Sequence, residues 1–571
     1  MTQPPLHNVG AWMDACARRF GGHMPGGVMS VIRAIAAVLL TAGWANAQAP
    51  APPAAPGLTG EAAVTAAAEA LERTQMSVQA LSQALRTLQA NMKVADSTKG
   101  PVDKLAAEAA ALQNAGSLGE ARRRLLHAIA VQRGLPWDEK AEFAGSLRLR
   151  TTMTVTDSSR PFYALLSQSY AATYSAPAGL RLRLTIADFA APAKVLRDLG
   201  SFDVYARDLA EDPYIVSVSL AGLPDGPYQL AAELGDRGTA LRRLTLNVLA
   251  VGDFDAQQAA IEQRLAKIKG FDSTKATIRY PFDYARVINL GRRDLIAGRN
   301  PEDSTTNAYY DFPAEIRSSL ALVRTLEGGK DPLLRIKGEH ARHYFFGDAS
   351  EIMPYRVFVP SKYDGKARLP LVVVLHGSGA DQDTYFKLRG PALTTEAEKH
   401  GFIVVTPLGY RPTGGWGRTG GPGPVGGTAA APDAGRARAS ELSEKDAFNV
   451  IDLVSKEYGT DPARTYLMGN SMGGAGTWYL GAKYPEKWAA IAPCAATTVG
   501  EGFPIERLKG MPLLYTVGEK DNVERSRQMV RWAKEHGFEI PINEIKDGTH
   551  DLSIWINLPN IFNFFERHTK K

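Results

Sequence analysis

Two glycines flank a single serine in Gly469-Asn470-Ser471-Met472-Gly473, between the apolar run Tyr466-Leu467-Met468 and a helix-compatible segment that begins at once. A serine hydroxyl is a weak nucleophile at neutral pH; it attacks only with a base in hydrogen-bond reach and a third group that orients the base. Small residues on either side suit a backbone bent so sharply that side chains would collide. Strand, Gly-x-Ser-x-Gly and helix, in that order, is the context in which such a serine is exposed at the end of a sheet. The stretch "LLYTVGEKDNVE" ends an apolar run at Gly518 and then offers two acids, Glu519 and Asp521. Asp521 is the expected partner because the loop there has more length to turn toward a histidine, and Glu519 is the alternative. "PINEIKDGTHDLSIW" places His550 after the last apolar run, with Asp547 and Asp551 beside it as loop-solvating acids. Ser471, Asp521 and His550, in that chain order, point to acyl transfer through a covalent intermediate.

Such chemistry also needs two donors for a tetrahedral oxyanion, each typically worth about 10²–10³ in rate. One is the backbone N–H of Met472. The other is expected from the loop after "LVVVLHGSG", from Ser378 with Gly377 as the alternative, and His376 is read as a support of that loop. Between 410 and 440 lies a glycine-dense stretch too long for an ordinary connection in a compact domain. It reads either as a disordered insertion or as a loop that overhangs the site, with Trp416 and Tyr410 as walls of an acyl or aryl pocket that opens and closes over substrate. The other histidines read differently. His400 and His536 each precede a glycine at a helix end, where an imidazole meets the helix dipole favourably; His127 lies in a helical segment and His568 in the tail. No H-E-x-x-H or clustered-cysteine pattern occurs, so no metal or organic cofactor is expected.

The elements that must position these residues alternate in type from about residue 341: "YRVFVP", "LPLVVVLHGSG", helix, "FIVVTPLG", helix, "TYLMGNS", helix, "AAIAPCAA", "MPLLYTVGEKD", helix, "PINEIKDGTH", helix. Short apolar strands separated by helices demand a mostly parallel α/β sheet covered on both faces, and every candidate above lies at a strand's C-terminal end, where such sheets bind ligands. Upstream, residues 58–139 read as a helical arm. Val64, Leu71, Val78 and Leu85 recur every seven residues, a stripe that could pack on the arm itself, on its neighbour, or on a second copy. Residues 140–250 alternate with period two, with turn chemistry at Pro224-Asp225-Gly226-Pro227, and suggest an antiparallel β-sandwich, Ig-like in broad architecture. Residues 251–340 read as a connecting region with helices near 256–270 and 314–326 amid irregular polar stretches.

The first 57 residues read as address and tether. From Met29 a basic Arg33, an apolar run to Ala42 and Ala45-Asn46-Ala47 fit a signal peptide at about 29–47, cleaved before Gln48 and followed by a Pro/Ala linker. The apolar core is too short to span a membrane, so the chain is expected in the periplasm or outside the cell with no membrane span in its mature part. Of two cysteines, Cys16 would leave with the leader, and Cys494, in the apolar "AAIAPCAA", reads as an inert core thiol. A net charge of +6 over 571 residues, scattered among acids, leaves no nucleic-acid footprint.

At this point "LHGSG", the segment from "SELSEKDAFNVIDLVSKEYG" through "GNSMGGAGTWYLGAKYPEKWAAIAP", "GEKDN" and "DGTH" together resemble the α/β-hydrolase superfamily. Within it the chain is similar to exported bacterial esterases related to feruloyl esterases and polyhydroxybutyrate depolymerases. Asn470 departs from those relatives, which often carry histidine there. The resemblance implies an exported serine carboxylic-ester hydrolase acting on short-acyl, aryl or polyester-type esters, small or polymeric, through Ser471, His550 and Asp521. Two rivals share its features. A prolyl-oligopeptidase-like serine peptidase would carry a β-propeller, and no blade repeat is visible; a non-catalytic envelope-binding protein would carry the hydrolase domain as a vestige.

Overall fold

A computed structural model describes residues 77–174, 179–290, 310–411, 413–418 and 434–570. The leader, the signal-like segment, the linker, the first part of the expected arm and residues 419–433 of the glycine-dense stretch lie outside the described residues.

Four runs of the C-terminal third, Leu371–Leu375, Ile403–Pro407, Thr465–Asn470 and Ala490–Cys494, are buried at every position. A strand covered on both faces requires this. They form the centre of an eight-stranded sheet built from β1 (Gly338–Phe346), β2 (Glu351–Val359), β3 (Leu371–Leu375), β4 (Ile403–Pro407), β5 (Thr465–Asn470), β6 (Ala490–Cys494), β7 (Tyr515–Gly518) and β8 (Ile542–Ile545). The spatial order is β1-β2-β4-β3-β5-β6-β7-β8. Strand β2 runs antiparallel to both neighbours, and β4, β3, β5, β6, β7 and β8 run parallel. Helices α1 (Ala392–His400) and α5 (Ser553–Glu566) cover one face, and α2 (Ala434–Tyr458), α3 (Met472–Lys483) and α4 (Val523–Glu535) the other. Strand alternation decides which core each residue joins. Val372 and Val374 meet Leu393 and Phe562, while Val373 and Leu375 share a core with Val450 and Trp478. This is the α/β architecture that alternating strands and helices demanded.

Upstream, helices Val78–Asn91, Asp96–Asn114 and Leu118–Gln132 pack on one another. Leu81, Leu85 and Leu88 share a core with Leu125 and Ile129, and Val78, half-buried, packs against it. Residues 147–251 form a three-stranded and a five-stranded sheet that enclose a common core, with Leu149, Phe162 and Val216 facing Leu182, Leu184, Leu230 and Val248.

Between that module and the eight-stranded sheet the chain is more regular than its sequence suggested. Asp272–Asn289 is one helix despite an internal Pro281. Proline ordinarily breaks a helix interior; here Ile278, Phe282, Ala285 and Ile288 form an apolar stripe at helical spacing that buries against Phe254, Phe312 and Ile316, and this packing outweighs the lost backbone bond. The same helix grips the β1–β2 hairpin: Asp283 Oδ2 accepts from Ile352 N–H at 2.9 Å, and the Tyr280 ring lies 4.0 Å from that of His343.

Candidate active site

Strand β5 delivers Ser471 to the middle of the sheet's C-terminal edge, and α3 starts one residue later. Ser471 adopts φ 57° and ψ −117°, a conformation that costs a non-glycine residue of order 1–3 kcal/mol and that the surroundings must hold in place. They do so through the Ser471 N–H, which donates to Cys494 O on β6 at 3.0 Å, and the Ser471 carbonyl, which accepts from Ala475 N–H at 2.9 Å. The flanking glycines are explained by space. A Cβ on Gly469 would lie 2.6 Å from the Gly473 carbonyl group and 2.7 Å from Leu375 O, and one on Gly473 would overlap the Leu375 carbonyl.

His550 Nε2 lies 2.9 Å from Ser471 Oγ, and His550 Nδ1 lies 2.9 Å from Asp521 Oδ2. The three side chains thus form one hydrogen-bonded chain across three loops that follow β5, β7 and β8. The Asp521 side chain is only 7% exposed whereas that of His550 is 44% exposed, so the carboxylate is enclosed and the imidazole is open to solvent. The hydrogen bond to Asp521 raises the imidazole above the ordinary histidine range, against the opposing effect of burial. Burial alone would raise the Asp521 carboxyl, but the His550 and Asn522 N–H donors bring it below its usual range. Glu519, the alternative acid, points elsewhere: its Oε2 accepts from Asp547 N–H at 3.1 Å. Lys520 Nζ pairs with Asp547 Oδ1 at 2.7 Å, and the Lys520 N–H donates to Gly548 O at 2.9 Å. These contacts pin the acid loop to the histidine loop.

The loop after β3 closes against the nucleophile, with Gly377 close enough that an added Cβ would lie 3.5 Å from Ser471 Cβ. Gly377 O accepts from Ala380 N–H at 3.2 Å. Among the described residues, neither the Gly377 nor the Ser378 N–H donates to a backbone carbonyl, and Met472, as the first residue of α3, has no acceptor within its own helix. N–H groups placed in this way beside the positive end of a helix dipole suit a developing anion. His376 is buried and sits between carbonyls, with Nδ1 2.8 Å from Gly377 O and Nε2 2.7 Å from Leu408 O. Burial pushes this ring toward its neutral form, and the two carbonyls pull the other way.

Two expected pocket residues are corrected. Trp416 is 0% exposed and Tyr410 7% exposed, so neither presents a wall to substrate. Tyr410 stacks under the Arg411 guanidinium at 3.6 Å and its N–H donates to Asp446 Oδ2 at 2.9 Å. Trp416 Nε1–H donates to His376 O at 3.2 Å. A large aromatic beside a glycine-rich loop reads equally well as a wall or as an anchor, and sequence alone does not separate the two.

Asn470 carries a function the sequence did not reveal: its Nδ2 donates to His550 O at 3.2 Å, tying the base's backbone to the strand that bears the nucleophile. A surface cavity of about 410 Å³ lies at the β1 edge, four strands from β5, lined by Phe345, Asp348, Lys445 and Asp452 among others. Its lining holds no hydroxyl–imidazole pair like that of Ser471 and His550. Among the described residues no group of three His, Cys, Asp or Glu could hold a metal ion, and no helix is long and apolar enough to cross a membrane.

Residues 350–555 match the profile of the esterase family, described as "Putative esterase". Over 180 residues the chain is 28% identical to a bifunctional acetylxylan esterase/xylanase of Neocallimastix patriciarum, a match that covers 32% of this chain and 23% of that protein. The chain therefore spans about a quarter of that relative's length. Among solved structures it is similar to a thermostable esterase (25% identity, 41% of this chain and 63% of that one, TM-score 0.32). It is also similar to a ferulic acid esterase of Anaeromyces mucronatus (19% identity, 42% of this chain and 93% of that one, TM-score 0.31).

Proposed function

We propose that the protein, whose residues 350–555 match the esterase family, is a serine carboxylic-ester hydrolase working through an acyl-enzyme. The observation that carries this reading is the unbroken chain Ser471 Oγ, His550, Asp521, with both links at 2.9 Å. His550 Nε2 takes the Ser471 proton as Oγ attacks the ester carbonyl. The carbonyl oxygen becomes an oxyanion held by the Met472 and Ser378 N–H groups. Asp521 keeps Nδ1 protonated and stabilises the imidazolium that forms. The imidazolium then gives its proton to the departing alkoxide as the carbonyl re-forms, leaving an acyl-serine and a free alcohol. Water repeats the cycle with His550 again as base, and releases the acid.

The reading extends to export, supported by the signal-like segment at residues 29–47, and to an Ig-like architecture for the two-sheet module beside a helical arm. For substrate, the similarity to an acetylxylan esterase favours small acyl groups carried on a large alcohol. The test is a panel of 4-nitrophenyl acetate, ethyl ferulate, acetylated xylo-oligosaccharides and a proline peptide amide, assayed with wild type and Ser471→Ala. Turnover of esters by wild type alone is expected. Cleavage of the peptide in preference to every ester would replace the esterase with a peptidase.

A further inference from the structure

Trp416 lies in the segment that follows β4, and its side chain runs beneath the loop that carries the proposed oxyanion donors. Space for its indole is cut from α3 and from the start of its own segment. A Cβ on Gly476 would lie 2.6 Å from Trp416 Cβ, and one on Gly409 would lie 2.7 Å from the indole ring. Gly476 stands in the middle of α3, where glycine is less stable than alanine by about 0.5–1 kcal/mol, so the helix gives up stability to admit this side chain. Trp416 itself sits at φ 58° and ψ 38°, unusual for a bulky residue, and its N–H is held by Ser443 Oγ at 3.1 Å.

The buried indole has one polar atom, and that atom is directed at the oxyanion loop. Nε1–H donates to His376 O at 3.2 Å, and the ring meets the His376 imidazole edge-on with centroids 4.9 Å apart. A peptide unit is planar, with its C=O and N–H pointing in opposite directions. Fixing His376 O therefore fixes the Gly377 N–H. His376 in turn places Nδ1 against Gly377 O, which fixes the Ser378 N–H. Both candidate donors take their direction from groups that Trp416 holds.

We propose that Trp416 is a positioning residue for the oxyanion hole, a strut through which the glycine-rich segment after β4 governs the chemical step and not the binding of ester. The proposal rests on the esterase reading above. Trp416→Phe keeps a ring in the slot and removes the donor; Ser443→Ala keeps the indole and frees its backbone. For each variant kcat is measured per active site titrated to completion with a fluorophosphonate, alongside KM and the affinity of a trifluoromethyl ketone that forms a tetrahedral oxyanion adduct. Because losing a whole donor costs about 10²–10³, a misdirected one is expected to lower kcat per titrated site about tenfold in Trp416→Phe. Ketone affinity should fall in proportion with KM unchanged, and Ser443→Ala should shift the same way to a smaller extent. A merely structural tryptophan would lower the melting temperature or the titratable fraction and leave kcat per site and ketone affinity intact, and that result overturns the proposal. So does a rise in KM with kcat unchanged. Wild type that hydrolyses no ester would bring down the esterase reading and this proposal together, whereas an active wild type with unaltered variants brings down the strut alone.

Discussion

Replacing Asp521 by asparagine separates the two acids that follow β7. In wild type the imidazolium formed during attack faces a carboxylate with Nδ1 and Oδ2 2.9 Å apart. Taking charge centres about 4 Å apart and an effective dielectric near 20, their attraction is about 4 kcal/mol, or about three decades of rate at 1.36 kcal/mol per decade. His550 is partly exposed, and solvent screening trims this to about two decades. Loss of the tautomer that keeps Nε2 free to accept the serine proton restores the total to about 10³. The assay is kcat for 4-nitrophenyl acetate per titrated site, across pH, for Asp521→Asn and Glu519→Gln. The Glu519 carboxylate accepts from the Asp547 N–H, so its substitution should change kcat less than about threefold, since hydrogen bonds of that kind contribute roughly 1 kcal/mol to stability and none to the chemistry. The pH profile supplies a second sign. Catalysis needs neutral His550, so activity falls as pH drops through its pKa, which Asp521 holds above the ordinary value. Removing the carboxylate should move that inflection to lower pH. Equal loss in the two variants, or a larger loss in Glu519→Gln, would refute the assignment of the acid.

Three further outcomes follow from packing. Gly473→Ala should abolish soluble or active protein, because the new Cβ would collide with the Leu375 backbone, which cannot yield as a flexible side chain would; expression and ester turnover report it. Glu351→Ala should lower unfolding free energy in urea by about 3 kcal/mol, because Arg411, 1% exposed, would lose the buried carboxylate it pairs with and keep its contacts to Tyr410. Cys494 should react with a thiol reagent only on unfolding, because burial pushes its thiol far up from the ordinary range.

Much of the catalytic domain is legible in the sequence because its strands are buried on both faces and therefore written as continuous apolar runs such as "LVVVL" and "YLMGN". The elbow is legible because backbone crowding leaves only glycine at 469 and 473. Asp521 is harder to read, since two acids share one loop and only the third dimension shows Glu519 turned toward Asp547. Trp416 and Tyr410 read as pocket walls because an aromatic residue announces area and not direction; the compensating glycines at 409 and 476 are the sequence trace of a buried indole, and the second of them lies far from it along the chain. Helix Asp272–Asn289 is hidden by Pro281, because a local breaker is overruled by a long-range apolar stripe. Asn470 stands out in the sequence as a departure from related esterases, but its tether to the His550 carbonyl is not legible there because it joins residues 80 positions apart.

The most direct measurement is covalent labelling of the folded protein by a fluorophosphonate, with the modified residue located by peptide mass spectrometry. A single adduct on Ser471 is predicted, formed quickly in wild type, about 10²-fold more slowly or worse once His550 is replaced by alanine, and absent in Ser471→Ala. An adduct on any other residue, or labelling of Ser471 at the same rate without His550, would contradict a hydroxyl activated by that imidazole.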